Sequence, residues 1–144
     1  MDLGIRNAEG YYDLTVYEVI KKISKEEEIR KKLIYVCSPF RGDEERNIKR
    51  TLRYCQFVVA QGCVPIATHL LFPQFMDDHD YHERKIALNM AMTVLSRCDE
   101  LWSFGLNVSD GMLSEIEKAK ILDKKIRYFT RDCEEVRILT HRNF

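Results

Sequence analysis

Three short segments of the 144-residue chain gather the side chains that chemistry uses. The first is Ser109-Asp110-Gly111-Met112-Leu113-Ser114-Glu115. Ser109 is a natural helix N-cap, and Gly111 leaves the backbone of the first turn uncovered. A helix amino terminus with free N–H groups attracts an anion such as phosphate, although a plainly capped helix carries the same signature. Glu115 follows one turn in. At ~100° per residue, Met112, Ile116, Ala119 and Leu122 form the inward stripe of this helix, and Glu117, Lys118 and Lys120 point outward. Glu115 falls between Ala119 and Leu122, at the margin of the stripe. A carboxylate there is costly unless it is paired with a cation or put to use.

The second segment is Ser38-Pro39-Phe40-Arg41-Gly42, which offers a hydroxyl, a guanidinium and a glycine in one loop. Arg41 has the two-pronged geometry that clamps a phosphate or carboxylate. The segment matches neither the P-loop nor the dinucleotide fingerprint, and a simple turn with a surface arginine is the plain alternative. The third segment runs from His69 through Asp77, Asp78, His79, Asp80 and His82 to Glu83. Its spacing follows no usual zinc pattern, and acids ahead of a helix are what capping requires. No metal and no cofactor is expected. His69 stands apart as a candidate ligand contact. No Ser-His-Asp arrangement can be read from spacing. Cys37 reads as core rather than nucleophile, and Trp102, Phe104 and Tyr128 as packing rather than base-stacking platforms.

These segments need elements to hold them. Leu33 to Ser38 is a short, apolar, β-branched run and reads as a buried strand. A helix capped by Asp43 is expected to run to about Gln61, with Ile48, Leu52, Cys55 and Val59 on its buried face and Gly62 ending it. A second strand covers Cys63 to Ala67, and a long polar-aromatic loop covers Thr68 to Tyr81. A helix from His82 to Cys98, a strand from Glu100 to Phe104, a helix from Ser109 to Leu122 and a strand from Lys125 to Phe129 follow. A short fifth strand is expected at Val136 to Leu139. Ahead of all this, Val16, Val19, Ile20 and Ile23 give an apolar stripe to a helix from Leu14 to Lys31. Strands alternating with long helices predict an α/β fold with a parallel sheet of about five strands and helices on both faces. Residues 1–32 form a helical extension and 33–144 the α/β domain. In such a sheet, ligands bind beyond the carboxyl ends of the strands. That rule alone brings together Ser38 to Gly42, Thr68 to Asp78, and Gly105 to Gly111.

Lysine plus arginine total 23, as do aspartate plus glutamate, so the formal net charge is zero. This balance argues against a nucleic-acid polymer as partner. No apolar run reaches the ~18 residues of a membrane span, and the polar stretch between Asp2 and Glu9 is not a secretory leader. The five cysteines are odd in number and lack C-x-x-C spacing. Free thiols and a cytoplasmic location are therefore expected.

Tyr35-Val36-Cys37-Ser38-Pro39-Phe40-Arg41-Gly42, Val64-Pro65-Ile66-Ala67-Thr68-His69-Leu70-Leu71-Phe72-Pro73 and Cys98-Asp99-Glu100-Leu101-Trp102-Ser103-Phe104-Gly105 resemble, in order and spacing, the nucleoside 2-deoxyribosyltransferase-like superfamily. The resemblance spans about Leu33 to Phe129 and is nearest to a branch found in phages and bacteria. It implies a flavodoxin-like, Rossmann-like sheet, commonly in a homodimer or higher homo-oligomer whose neighbouring subunit completes the site. It implies a small-molecule nucleoside or nucleotide as partner. The family's glutamate nucleophile follows a small-residue loop, which matches Ser109, Gly111 and Glu115 here. Ser38, Arg41, Gly42, Ser109 and Gly111 match the positions that hold a 5′-phosphate; Phe40 and Gly105 belong to the same loops, and His69, just past the second strand, is a further expected substrate contact. The implied activity is an N-glycosidase or (deoxy)ribosyltransferase with attack of Glu115 on C1′. Well-studied members carry a further aspartate in the helix before the third strand. That position falls near Ala91, where no acid is available. Asp99 and Asp78 are the remaining acid candidates, with His69 as another possible substitute. The missing acid also leaves open a binding protein that holds a nucleotide or ADP-ribose-like ligand without cleaving it.

Overall fold

The computed structural model describes residues 31–137. The expected helix from Leu14 to Lys31, apart from Lys31 itself, and the end of the expected fifth strand lie outside these residues. Five strands form one sheet, with β1 at Leu33–Cys37, β2 at Val64–Ile66, β3 at Glu100–Phe104, β4 at Lys125–Phe129 and β5 at Glu135–Val136. Their order is β2-β1-β3-β4-β5. The first four are mutually parallel, and β5 pairs antiparallel to β4. The sheet is thus not wholly parallel. A five-residue connection, Thr130 to Glu134, is too short for a parallel crossover and returns the chain as a tight turn.

Side-chain alternation in the strands builds two cores. Tyr35, Cys37 and Leu101 face one side and pack with Leu95, Met112, Ile116 and Ala119. Ile34, Val36, Trp102, Phe104 and Phe129 face the other and pack with Tyr54 and Val58. Helix α1 (Glu44–Ala60) covers the second face, while α3 (Tyr81–Arg97) and α4 (Asp110–Ile121) cover the first. Asp43, Asp80 and Ser109 cap these three helices by accepting backbone N–H groups with their side chains.

Two expectations are corrected. The stretch after β2 is not a plain loop: Thr68–Leu71 forms a helical turn, α2, and Phe72–Gln74 a 3₁₀ turn. Pro73 sits in the first turn of the latter, where its missing N–H costs nothing. On α1 the buried residues are Asn47, Thr51, Tyr54 and Val58, whereas Ile48, Leu52 and Val59 are exposed. The buried face lies one position before the apolar stripe because two polar residues are needed inside. Asn47 Nδ2 donates to the carbonyls of Phe40 at 3.0 Å and Arg41 at 3.1 Å, and so holds the β1–α1 loop.

Among the described residues, no helix is long and apolar enough to cross a membrane.

Candidate functional site

The strand order reverses between β1 and β3, and the chain leaves their carboxyl ends as the two loops that begin at Ser38 and Gly105. Beside the first of these loops opens a cleft with two lobes. One lobe, of about 760 Å³ to its open mouth, is lined by Ser38, Arg41, Arg84, Ser109 and Gly111. The other, of about 430 Å³, is lined mainly by apolar atoms of Phe72, Pro73, Met76, Ala87, Leu88 and Ala91. Glu115 and His69 line both.

Glu115 is 1% exposed, so it is inside the core stripe of α4 rather than at its edge. Its Oε1 lies 3.5 Å from Nε2 of His69. Among the described residues its Oε2 has no partner in hydrogen-bond geometry, although the Tyr35 hydroxyl and the Cys37 thiol lie close enough to feel the carboxylate. A buried carboxylate oxygen without a partner is expensive and rare. The groups beneath it are neutral. Burial, and after it the Glu115 charge, pushes both the Tyr35 hydroxyl and the Cys37 thiol well above their ordinary values. Cys37 is fully buried, as the sequence suggested, and a protonated thiol there is no nucleophile. The Tyr35 hydroxyl hydrogen-bonds the Thr68 hydroxyl at 3.2 Å. His69 is fixed by stacking on Phe40, with centroids 5.2 Å apart and planes within 7°.

The loop residues divide by what their polar atoms already do. Thr51 donates its one hydroxyl proton to the Asn47 carbonyl at 2.8 Å. The 2.9 Å contact between Ser38 and Thr51 is therefore donated by Ser38. With its proton committed, the Ser38 hydroxyl presents only lone pairs to the cleft and anchors the loop instead of receiving an anion. Arg41 donates from Nε to the Asp78 carboxylate at 3.0 Å and from Nη2 to the Asp78 carbonyl at 3.1 Å. Asp78 thus lines the cleft with its charge engaged. Ser109 accepts from the Met112 N–H at 3.3 Å and keeps its own proton for donation. At Gly111 a Cβ would meet nothing nearer than Ser109 Oγ at 4.0 Å, so the glycine is not required by packing. Gly42 does need its flexibility, with φ at +98° just before the α1 cap.

Two sequence candidates stand elsewhere. Asp99 lies at the amino end of β3, opposite the cleft, where it accepts the Leu33 N–H at 2.7 Å and extends the β1–β3 pairing. Gly105, with φ at +89°, turns the chain after β3 and lines a separate recess with Arg50, Tyr54 and Arg131. The acids before α3 are occupied by turns: Asp77 accepts the His79 N–H, and Asp80 those of His82 and Glu83. Among the described residues, no three His, Cys, Asp or Glu side chains converge as a metal site would need. Tyr35, Thr68 and Arg84 were missed by sequence reasoning. Arg84 sits mid-surface on a helix whose charges all look alike in one dimension, and only the fold turns it to the cleft.

A family model described as Domain of unknown function (DUF7768) matches residues 32–129. The chain belongs to the DUF7768 family. The matched span contains every cleft residue named above. No curated protein matches the chain. Among solved structures, this DUF7768 chain is similar to a 2-deoxyribosyltransferase from Bacillus psychrosaccharolyticus, with a TM-score of 0.59 and 19% identity over 74% of this chain and 77% of that one. It is also similar to a CMP N-glycosidase from Clostridium botulinum (TM-score 0.46, 22% identity, 69% of this chain and 71% of that one). A third likeness is to a 2-deoxyribosyltransferase from Leishmania mexicana (TM-score 0.49, 15% identity, 69% and 64%). The first of these fixes the architecture: the chain shares the α/β, flavodoxin-like fold of that 2-deoxyribosyltransferase.

Proposed function

We propose that this chain cleaves the N-glycosidic bond of a nucleoside 5′-monophosphate, with Glu115 as nucleophile. The observation that carries the reading is the position of Glu115, buried with one oxygen unpartnered where an apolar lobe meets a polar one. A nucleotide has that same order of parts: a flat base, a sugar, and a phosphate on the far side of the sugar. With the base among Met76, Leu88 and Ala91 and the phosphate beside Ser109 and Gly111, the sugar lies over Glu115. The shared fold of the 2-deoxyribosyltransferase supports the assignment, and the sequence motifs imply the same chemistry.

In the first step a Glu115 oxygen attacks C1′, a C1′–O ester forms, and the C1′–N bond breaks with its electron pair leaving on the base. The base takes a proton from a carboxyl or from water; Asp77 and Glu83 both line the apolar lobe where it departs. Water then adds at C1′, releases the sugar phosphate and restores the carboxylate. A second base in place of water gives transfer. Anchoring at the phosphate turns attack on C1′ into an effectively intramolecular event.

The test is release of free base from a panel of nucleosides, their 5′-monophosphates and NAD, with Glu115→Gln beside the natural chain. Turnover by the natural chain and a loss of at least about 1,000-fold in the variant are expected, on the scale of removing a nucleophile. Full activity in the variant, or no base from any substrate, overturns the mechanism. One observation favours a second reading. Beyond the first turn of α3, the residues of that helix lining the apolar lobe are Arg84, Ala87, Leu88 and Ala91, and Glu83 is the one carboxylate that α3 brings to it. A nucleotide bound without cleavage over a long incubation identifies the chain as a sensor.

A further inference from the structure

We propose that Arg84 is the residue that reads the phosphate, and that it makes the site selective for 5′-phosphorylated over unphosphorylated nucleosides. The inference rests on the reading above and adds a specificity determinant to it.

Arg84 reaches the cleft from the second turn of α3, an element separate from the β1 and α4 loops. It lines both lobes, as Glu115 does. The other cleft cation, Arg41, already spends two donors on Asp78, so its charge is balanced within the chain. Ser38 has no proton to offer. Arg84 forms no ion pair and no side-chain hydrogen bond with any described residue; its backbone N–H closes the helix by donating to Asp80. Its guanidinium therefore brings five donors that no described residue engages to a lobe whose other charged groups are the paired Arg41 and Asp78 and the carboxylates of Asp110 and Glu115. A dianionic phosphate near Ser109 satisfies those donors and balances the charge. A neutral 5′-hydroxyl does neither, and leaves the arginine as unpaired as before.

The experiment compares binding of a nucleoside 5′-monophosphate and its parent nucleoside by calorimetry, in the Glu115→Gln chain so that no turnover intervenes. Arg84→Gln is expected to weaken the monophosphate by about 10- to 100-fold, the range for a charge-assisted hydrogen bond, and to leave the nucleoside within about twofold. Arg84→Lys falls between them, because a point charge keeps the attraction and loses the fork. Added guanidinium ion restores part of the monophosphate affinity of Arg84→Ala, which a merely structural arginine would not allow. Equal weakening of both ligands, or an unchanged monophosphate, overturns the proposal. So does a natural chain that releases base equally well from nucleoside and monophosphate, and that result leaves the glycosidase reading standing. If neither ligand binds, the glycosidase reading falls, and inorganic phosphate tests Arg84 alone. Thermal stabilisation by phosphate that Arg84→Gln abolishes then supports it, and stabilisation that persists refutes it.

Discussion

Glu115 is expected to cost the fold stability that an amide would not. A fully buried carboxylate with one oxygen unpartnered and the other 3.5 Å from an imidazole loses more hydration than it regains. Glu115→Gln is therefore expected to raise the unfolding free energy by about 1–2 kcal/mol, read as a higher urea midpoint at unchanged slope. A gain in stability coupled to a loss of base release is the signature of a residue kept for function. The same residue shows how far the sequence could be read. The 3.6-residue period placed Glu115 beside the core, and the preceding Ser109 and Gly111 marked a helix terminus. Its depth was not legible, because depth depends on how α4 seats against Tyr35 and Cys37, residues far away in the chain.

The helices act on the cleft through their caps and their polar buried residues. α1 holds the Ser38–Arg41 loop with Asn47 and Thr51 instead of filling its face with aliphatic groups. Thr51→Val removes the acceptor of the Ser38 proton and is expected to cost about 1–3 kcal/mol, measured by chemical denaturation. At the head of α4, Gly111→Ala is expected to gain about 0.5–1 kcal/mol, since helix propensity improves and the new Cβ meets only Ser109 Oγ at 4.0 Å. Its methyl group stands at the turn proposed to face the phosphate, so monophosphate affinity should fall while stability rises. Strand and helix positions were largely legible, because β1, β3 and β4 are short runs bounded by charges, glycine or proline. The α1 face was not. Apolar periodicity pointed to Ile48, Leu52 and Val59, and hydrogen bonds to a loop, which leave no periodic trace, turned the helix to Asn47 and Thr51.

At the scale of the molecule, the sheet separates stability from chemistry. The cleft lies at the carboxyl ends of the strands, and a charged cluster closes the amino end. There the Glu100 carboxylate, 4% exposed, lies 2.9 Å from the Lys32 ammonium and accepts from the Trp102 indole at 3.2 Å. Burial alone raises Glu100, but the hydrogen bonds from Lys32 and Trp102 outweigh it and hold the carboxyl below its ordinary 4.5. Its folded value is the lower one, so its contribution is complete above the unfolded value and fades as pH falls through the folded one. Thermal stability is expected to drop below about pH 4.5, and Glu100→Gln to flatten that slope. Homodimer formation is likewise our proposal: Leu106, Val108 and Leu113 are exposed next to the cleft-lining Ser109 and Gly111. A single scattering mass of 17.1 kDa at micromolar concentration would count against it.

Trp102 is the chain's one tryptophan, 1% exposed on the α1 side of the sheet, with the Arg127 guanidinium 4.6 Å above its ring. Glu115 occupies the other side, among the residues beneath α3 and α4. Intrinsic fluorescence at the tryptophan band therefore registers whether the sheet is intact and stays nearly silent when the cleft fills. Each variant proposed above can be judged for folding by emission wavelength and for binding by heat or base release, two readouts that the fold itself keeps independent.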